Sequence, residues 1–404
     1  MPAGRIPTTA AGTPRPSDAD GASPYSQRRH AMQTVDRGIV FRGEPGTDRQ
    51  SAIMPSVAAL DDDRWVCSFR AARTKGGNTE TCLFAHSEDG GATWSEPVMP
   101  WPVPEWQTHP GRWRQAYVTA LDASRVVAVL GWIDDTDPQV PYWNESDMTL
   151  TDTRICLCRS DDGGATWSAP EFLDLYPIQL CTPLTGPILV LGNGDWVCHF
   201  ELNKRHGDPS VWRHASMMAV SRDQGRTWPL LSVASNDPAN RYFYWDQRPG
   251  VLASATVLDT FWTLDTRTSE YINIQAREST DGCRTWSPMW DTGLPGQPGH
   301  PVSLPDGRIA LSYVDRTAET KIKLRCSHDG GRTWPEHTEL VLYDAADRQT
   351  WQQLGSIQDS WSEMAAFSVG LPATTLLPNG DVLVCYYAGP ATDTTAIEWV
   401  RVRP

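Results

Sequence analysis

The octapeptide Ser87-Glu88-Asp89-Gly90-Gly91-Ala92-Thr93-Trp94 returns four times, as SDDGGATW at 160–167, SRDQGRTW at 221–228, STDGCRTW at 279–286 and SHDGGRTW at 327–334. The shared form is Ser-x-Asp-x-Gly-x-Thr-Trp, and the fourth copy places Cys283 where the others have glycine. The pattern has a structural explanation. A short carboxylate accepts backbone N–H groups inside a tight turn, glycine supplies positive φ, and tryptophan offers a large apolar face to a neighbouring sheet. Five copies cannot all be reaction centres, so Asp89, Asp162, Asp223, Asp281 and Asp329 read as scaffold.

A second motif interleaves with the first: an apolar run, a leucine, a polar turn and another apolar run. Its six copies begin at Leu60, Leu121, Leu191, Leu258, Leu304 and Leu377. Each unit then reads as strand, turn, strand, loop, strand, Asp-motif turn, strand. The repeat predicts an all-β fold, a six-bladed β-propeller of four-stranded antiparallel blades, because radial repetition leaves few exposed sheet edges. The sixth unit runs out after Ala396–Arg403, and Gly38–Gly43 is placed to supply its missing strand. The propeller is expected over residues 36–404 and a flexible, aperiodic tail over 1–35.

Composition narrows the function. The 404 residues carry a net charge of −14 and no Lys/Arg cluster, which weighs against nucleic acid as a partner. No apolar run is long enough for a membrane helix, and residues 1–35 lack the apolar stretch of a secretory signal. The nine cysteines form no CxxC pair and sit mostly in apolar runs, which predicts reduced core thiols and a cytoplasmic location. No metal-ligand spacing is present, so no cofactor is expected. Oligomeric state is not readable. The 19 Trp, with 31 Gly and 32 Pro, fit many short strands.

Both motifs occupy one edge of the sheets. The opposite edge carries longer, variable loops, where function usually sits on a rigid scaffold. Strands end there in Arg70, Asp134, Glu201, Asp265 with Arg267, Asp315 with Arg316, and Tyr386 with Tyr387. Inner strands begin near Met54, Arg114, Thr185, Arg248, His300 and Leu371. Trp101, Trp106, Trp113, Trp143, Trp212, Trp245, Trp351 and Trp361 fall in or near the same loops. Flat aromatic faces among bidentate polar groups suit a carbohydrate ligand. Plainer readings stand beside these: Arg267 and Arg316 as ion-pair partners of Asp265 and Asp315, the tryptophans as packing, and His300 as a core ring. Glu201, a carboxylate followed by Lys204, Arg205 and His206, is the leading acid–base candidate.

The five boxes and six turns resemble the sialidase (neuraminidase) superfamily over residues 38–404. The resemblance implies a sialidase-like propeller that cleaves a glycoside. It also implies particular residues, and most are not matched. Ile53-Met54-Pro55 stands where the family has Arg-Ile-Pro, and the loop Thr74–Glu80 offers Glu80 as its only carboxylate where an acid–base Asp is expected. Arg267 fits the second arginine, Gly299-His300-Pro301 stands at the third, Leu371 at the nucleophilic Tyr, and Tyr387 at the carboxylate that follows. The expectation is therefore a glycoside hydrolase acting on a small glycan or an unusual, acidic terminal sugar by other means than the family's tyrosine mechanism. Glu201 with Asp265 or Asp315 would form the carboxyl pair, and Arg70, Asp134, Trp245, Arg267, His300, Arg316 and Tyr387 would bind substrate. The alternatives are a saccharide lyase using His300, Tyr386 or Tyr387 as base, and a non-catalytic carbohydrate-binding propeller.

Overall fold

The structure is a computed structural model, and it describes residues 31–317, 319–345 and 366–404. The chain is all-β in these residues apart from one 3-10 turn at Glu336–Thr338 and the helical residue Ala366. Sheets follow one another along the chain in a propeller arrangement. Gly111–Ala120, Val126–Asp134, Thr153–Ser160 and Glu171–Phe172 form one four-stranded sheet, and Leu189–Val190, Trp196–Leu202, Ala215–Ser221 and Leu230–Asn236 form another. A five-stranded sheet is built on Tyr242–Val251 and Val257–Asp265, and a second on Ile309–Asp315 and Lys321–Ser327.

The six four-stranded blades expected from the repeats are not what the hydrogen bonding gives. Four sheets of four or five strands stand as separate blades, and the first and last sequence units are fused into one seven-stranded sheet. Its strands are Gln33–Phe41, Ser51–Ala59, Trp65–Ala72, Thr81–Ser87, Val369–Leu376, Val382–Ala391 and Thr394–Arg403. The join is a parallel contact of Ser51 with Thr395, whose Oγ1 donates to the Ala52 carbonyl at 2.7 Å. Gln33–Phe41 pairs antiparallel with Thr394–Arg403, Gly38 facing Trp399. Turn motifs count sequence units but carry no information on which strands bond across the closure.

Two smaller corrections follow. The fourth polar turn is not at Leu258, which is fully buried inside Val257–Asp265; it lies at Leu252–Thr256, closed by the Leu252 N–H on the Thr256 carbonyl. That turn, Leu-Ala-Ser-Ala-Thr, lacks the Gly, Asp or Asn that marks the others. Residues 33–35 belong to a strand, and the rest of the expected tail up to residue 30 lies outside the described residues, as do Trp351 and Trp361.

The five boxes share one geometry. In the first, Ser87 Oγ donates to Asp89 Oδ1 at 2.9 Å, and that carboxylate accepts the Thr93 N–H at 2.8 Å and the Thr93 hydroxyl at 2.6 Å. Asp162, Asp223, Asp281 and Asp329 repeat the pattern. Cys283 takes φ of 64° in the glycine place. The box tryptophan packs on the preceding sheet: Trp167 lies 5.4 Å from Phe84. The core is accordingly a series of apolar interfaces between neighbouring sheets, such as Val66, Phe84, Trp113 and Leu130 between the first two. All nine cysteines are buried and free.

Ser327→Ala removes the hydroxyl that accepts the buried Gly331 N–H at 2.9 Å, and an orphaned buried donor costs about 1–3 kcal/mol. Urea unfolding should show a loss in that range. Asp259 is completely buried, and that burial, only partly opposed by Arg277, pushes its acid well above the usual carboxylate range. The folded chain therefore holds this proton more tightly than the unfolded one, and stability is lost as pH rises from the ordinary carboxylate value towards the folded one. Asp259→Asn has no proton to lose. Its thermal midpoint should gain on the parent between about pH 4 and pH 7, and a constant difference would contradict this.

Candidate functional site

A cavity of about 320 Å3 lies where the first strands of the sheets converge. Ile53 and Met54 reach it from Ser51–Ala59, Arg114 and Tyr117 from Gly111–Ala120, Trp245, Asp246 and Arg248 from Tyr242–Val251, and Leu371 from Val369–Leu376. All four strands break register at the cavity, between Ile53 and Ser56, Trp113 and Gln115, Trp245 and Arg248, and Gly370 and Ala373. Three of the breaks hold a non-glycine residue at positive φ: Met54 at 55°, Asp246 at 47° and Leu371 at 49°. Bulges re-aim side chains, and backbone strain of this kind gathers at functional sites.

The cationic wall is organised by a carboxylate behind it. Glu80 is buried and takes Arg114 Nη1 at 2.9 Å, Arg112 Nε at 3.3 Å and Arg70 Nη1 at 3.8 Å. Burial alone would raise its acid, but Arg114, Arg70 and Arg112 outweigh burial and hold it below the ordinary range. Arg70 is lowered to about 10 by burial and by Arg114 beside it. Its Nε has no hydrogen-bond partner among the described residues, although the side chain is 2% exposed and lines the cavity. Arg114 stacks 4.1 Å over the Tyr142 ring.

Beside Arg70, whose Nη2 donates to the Lys75 carbonyl at 2.7 Å, Lys75 Nζ donates to the Phe367 carbonyl at 2.7 Å and to Tyr387 Oη at 2.9 Å. Burial, then Arg316 and Arg70, keep this amine well below its usual range. Burial raises the Tyr387 phenol to about 12, against the pull of Arg316. Arg316 donates to Gln297 Oε1 at 3.1 Å and to the Val369 carbonyl at 2.8 Å, and lies 3.9 Å over the Phe367 ring. Gly370 makes room for this group, since a Cβ there would collide with Arg316 Nη2 and press on Tyr387 Oη. On the remaining side, Glu201 Oε1 accepts the Asp246 N–H at 2.6 Å and Oε2 lies 3.5 Å from Nε2 of the buried His214. Asp246 sits 3.4 Å from Arg248 and accepts from Gln297.

The fold brings Arg70, Glu201, Trp245, Arg316 and Tyr387 to this cavity and leaves other sequence candidates away from it. Asp265 is engaged by Arg241 Nε at 3.1 Å, and Arg267 is exposed. Asp315 is held by Lys323 Nζ at 3.0 Å, and Asp134 caps the Thr136 N–H at 2.7 Å. The carboxyl pairing of Glu201 with Asp265 or Asp315 is therefore replaced, since neither aspartate lines the cavity. A strand-end carboxylate with a cation at hand pairs locally rather than reaching a distant pore. His300 lines a separate chamber of about 30 Å3 that shares Met54, Tyr117, Arg248 and Leu371 with the main cavity. Its Nδ1 is 2.9 Å from the Pro249 carbonyl, and burial with Arg248 nearby lowers it to about 3, a neutral ring. Tyr386 faces away, on Glu398 and Tyr343. Among the loop tryptophans in the described residues, only Trp143 and Trp245 line the cavity.

Sequence reasoning missed Lys75, Tyr142, Asp246 and Phe367 as cavity residues. A signal existed for Lys75 alone, the sole cation in the loop Thr74–Glu80. Cross-strand register also explains two apparent gaps in the family pattern. Ile53 faces Arg70, and Gly370, next to Leu371, faces Tyr387. A guanidinium and a phenol thus arrive from the adjacent strand where the first strand lacks them.

The family described as BNR repeat-like domain matches residues 136–384. Among solved structures, a protein of unknown function from Dyadobacter fermentans is 19% identical, covers 93% of this chain and 99% of its own, and superposes with a TM-score of 0.67. A Hadza microbial sialidase is 15% identical over 90% of this chain and 68% of its own, TM-score 0.66. The NanB sialidase of Streptococcus pneumoniae, solved with a chlorobenzyl-ammonio-ethanesulfonate, is 12% identical over 91% and 70%, TM-score 0.58. No curated protein matches significantly. No helix among the described residues is long and apolar enough to cross a membrane. With its five Asp boxes and this match over more than half its length, the chain belongs to the BNR repeat-like domain family.

Proposed function

We propose that the cavity binds the acidic terminal unit of a glycan and hydrolyses its glycosidic bond. The observation that carries this reading is the meeting of Arg70, Arg114, Arg248 and Arg316 with Glu201 and the Lys75–Tyr387 pair in one cavity walled by Tyr142, Trp143, Trp245 and Phe367. Guanidiniums preorganised by a buried carboxylate suit a planar anion. The anionic ethanesulfonate of the NanB neighbour is in keeping with such a ligand.

In this reading Glu201 gives its proton to the leaving oxygen. Tyr387 Oη bonds to the anomeric carbon while its proton passes to Lys75, the adjacent base. Water, deprotonated by Glu201, then displaces Tyr387, which regains its proton from Lys75. One water is consumed, and the glycoside yields a free sugar and an alcohol. The same phenol–amine pair beside carboxylate-binding arginines also favours a second reading, proton abstraction next to a uronate carboxylate, which would yield an unsaturated sugar.

On a panel of aryl glycosides of acidic sugars, Glu201→Gln should lower kcat by about 10²–10⁴-fold with little change in ligand affinity; unchanged turnover removes Glu201 from the reaction. Tyr387→Phe and Lys75→Met should each cost about 10²-fold, and the double variant should be no worse than the poorer single, because the two act as a unit. Independent, multiplying losses would contradict the pair. A product with ultraviolet absorbance from a new double bond selects the lyase reading, and binding with no product over prolonged incubation sinks both.

A further inference from the structure

A second cavity, of about 480 Å3, shares no lining residue with the first. The two are adjacent along one segment, Thr182 lining the second and Pro183 the first. Its floor is aromatic: the Trp106 ring lies 4.7 Å from the Phe172 ring, and the Arg154 guanidinium lies 5.2 Å over Trp106. Tyr176 stands at its edge with 77% of its surface exposed, although Asp174 accepts its backbone N–H at 3.0 Å and so fixes the turn that carries it.

The polar groups differ in kind from those of the first cavity. Arg154 and Arg205 share one carboxylate, Asp152, at 2.8 and 3.1 Å, and Asp174 also lines the wall. Two guanidiniums against two carboxylates leave no excess charge. Arg154 Nε is buried and has no hydrogen-bond partner among the described residues. Gln179 adds an amide at the exposed margin. An apolar ring face beside balanced donors and acceptors matches a sugar ring with vicinal hydroxyls and no ionic group, whereas a ligand charged in either sense would also meet a like charge.

We propose that this cavity is a separate binding site for a neutral saccharide unit, with Tyr176 and Trp106 as stacking faces and Arg154, Arg205, Asp174 and Gln179 as hydroxyl partners. The site does not depend on the chemistry of the first cavity and stands whether that cavity hydrolyses, eliminates or only binds.

The test uses the full chain labelled with 5-fluorotryptophan, with the Trp106 fluorine signal assigned through Trp106→Phe. Cellotriose is the neutral probe and tri-galacturonate the acidic one. Cellotriose should move the Trp106 signal with millimolar affinity that changes little with salt, and the exposed-site variant Tyr176→Ala should weaken it by about tenfold. Arg316→Ala, in the other cavity, should leave that titration unchanged. Three results would overturn the proposal: a Trp106 signal unmoved by either probe, a response to tri-galacturonate alone that salt suppresses, or an affinity for cellotriose that Tyr176→Ala leaves intact.

Discussion

The cationic wall of the main cavity rests on one buried carboxylate. Arg70, Arg112 and Arg114 would repel one another if brought together in a dry interior, and Arg70 is made more acidic first by burial and then by Arg114 beside it. Glu80 makes the cluster tenable by facing all three. Removing one partner from a buried ionic cluster typically costs about 3–5 kcal/mol, because the remaining charges are left uncompensated. The same arrangement leaves Arg70, which lines the cavity, with an Nε that has no hydrogen-bond partner among the described residues. Stability and the proposed anion recognition thus draw on the same group, which reaches its place from the loop between Trp65–Ala72 and Thr81–Ser87.

The scaffold and the site divide the molecule's strain between them. On the box edge, every demanding turn is satisfied by its own serine, aspartate and threonine, and the backbone conformation falls on glycine in most copies. At the cavity, positive φ falls instead on Met54, Asp246 and Leu371. Those residues are tolerated because the surrounding ladders fix the strands on both sides of each bulge. Their effect is to turn the ends of the first strands inwards, so that Asp246 can present its N–H to Glu201 and its carboxylate towards Arg248.

Much of this architecture was legible in the residues. The Ser-x-Asp-x-Gly-x-Thr-Trp boxes identified the turns and their scaffold role because their chemistry is local, contained within eight residues. Closure was legible in part: Gly38–Gly43 was placed to complete the last unit, and Gln33–Phe41 does pair with Thr394–Arg403. The parallel contact of Ser51 with Thr395 depends on contacts between distant segments that carry no motif, and the fused seven-stranded sheet replaces the expected six four-stranded blades. The site divides the same way. Glu201, Arg70, Arg316 and Tyr387 were found because strand ends point to one edge. Asp265 and Asp315 sit at equivalent strand ends, yet Arg241 and Lys323 capture them. Lys75 was marked only by being the sole cation of its loop, and its burial, which makes it a cavity residue, follows from the fold.

Selection of a carboxylate by the guanidiniums around Glu80 is the proposal on which the rest turns. Calorimetric titration of the wild-type protein with carboxylated monosaccharides and their neutral parent sugars, at low and high salt, tests it most directly. The acids should bind tighter by about tenfold or more, with the gap narrowing as salt rises. Equal affinity for acid and neutral sugar, or a preference for the neutral one, would contradict it.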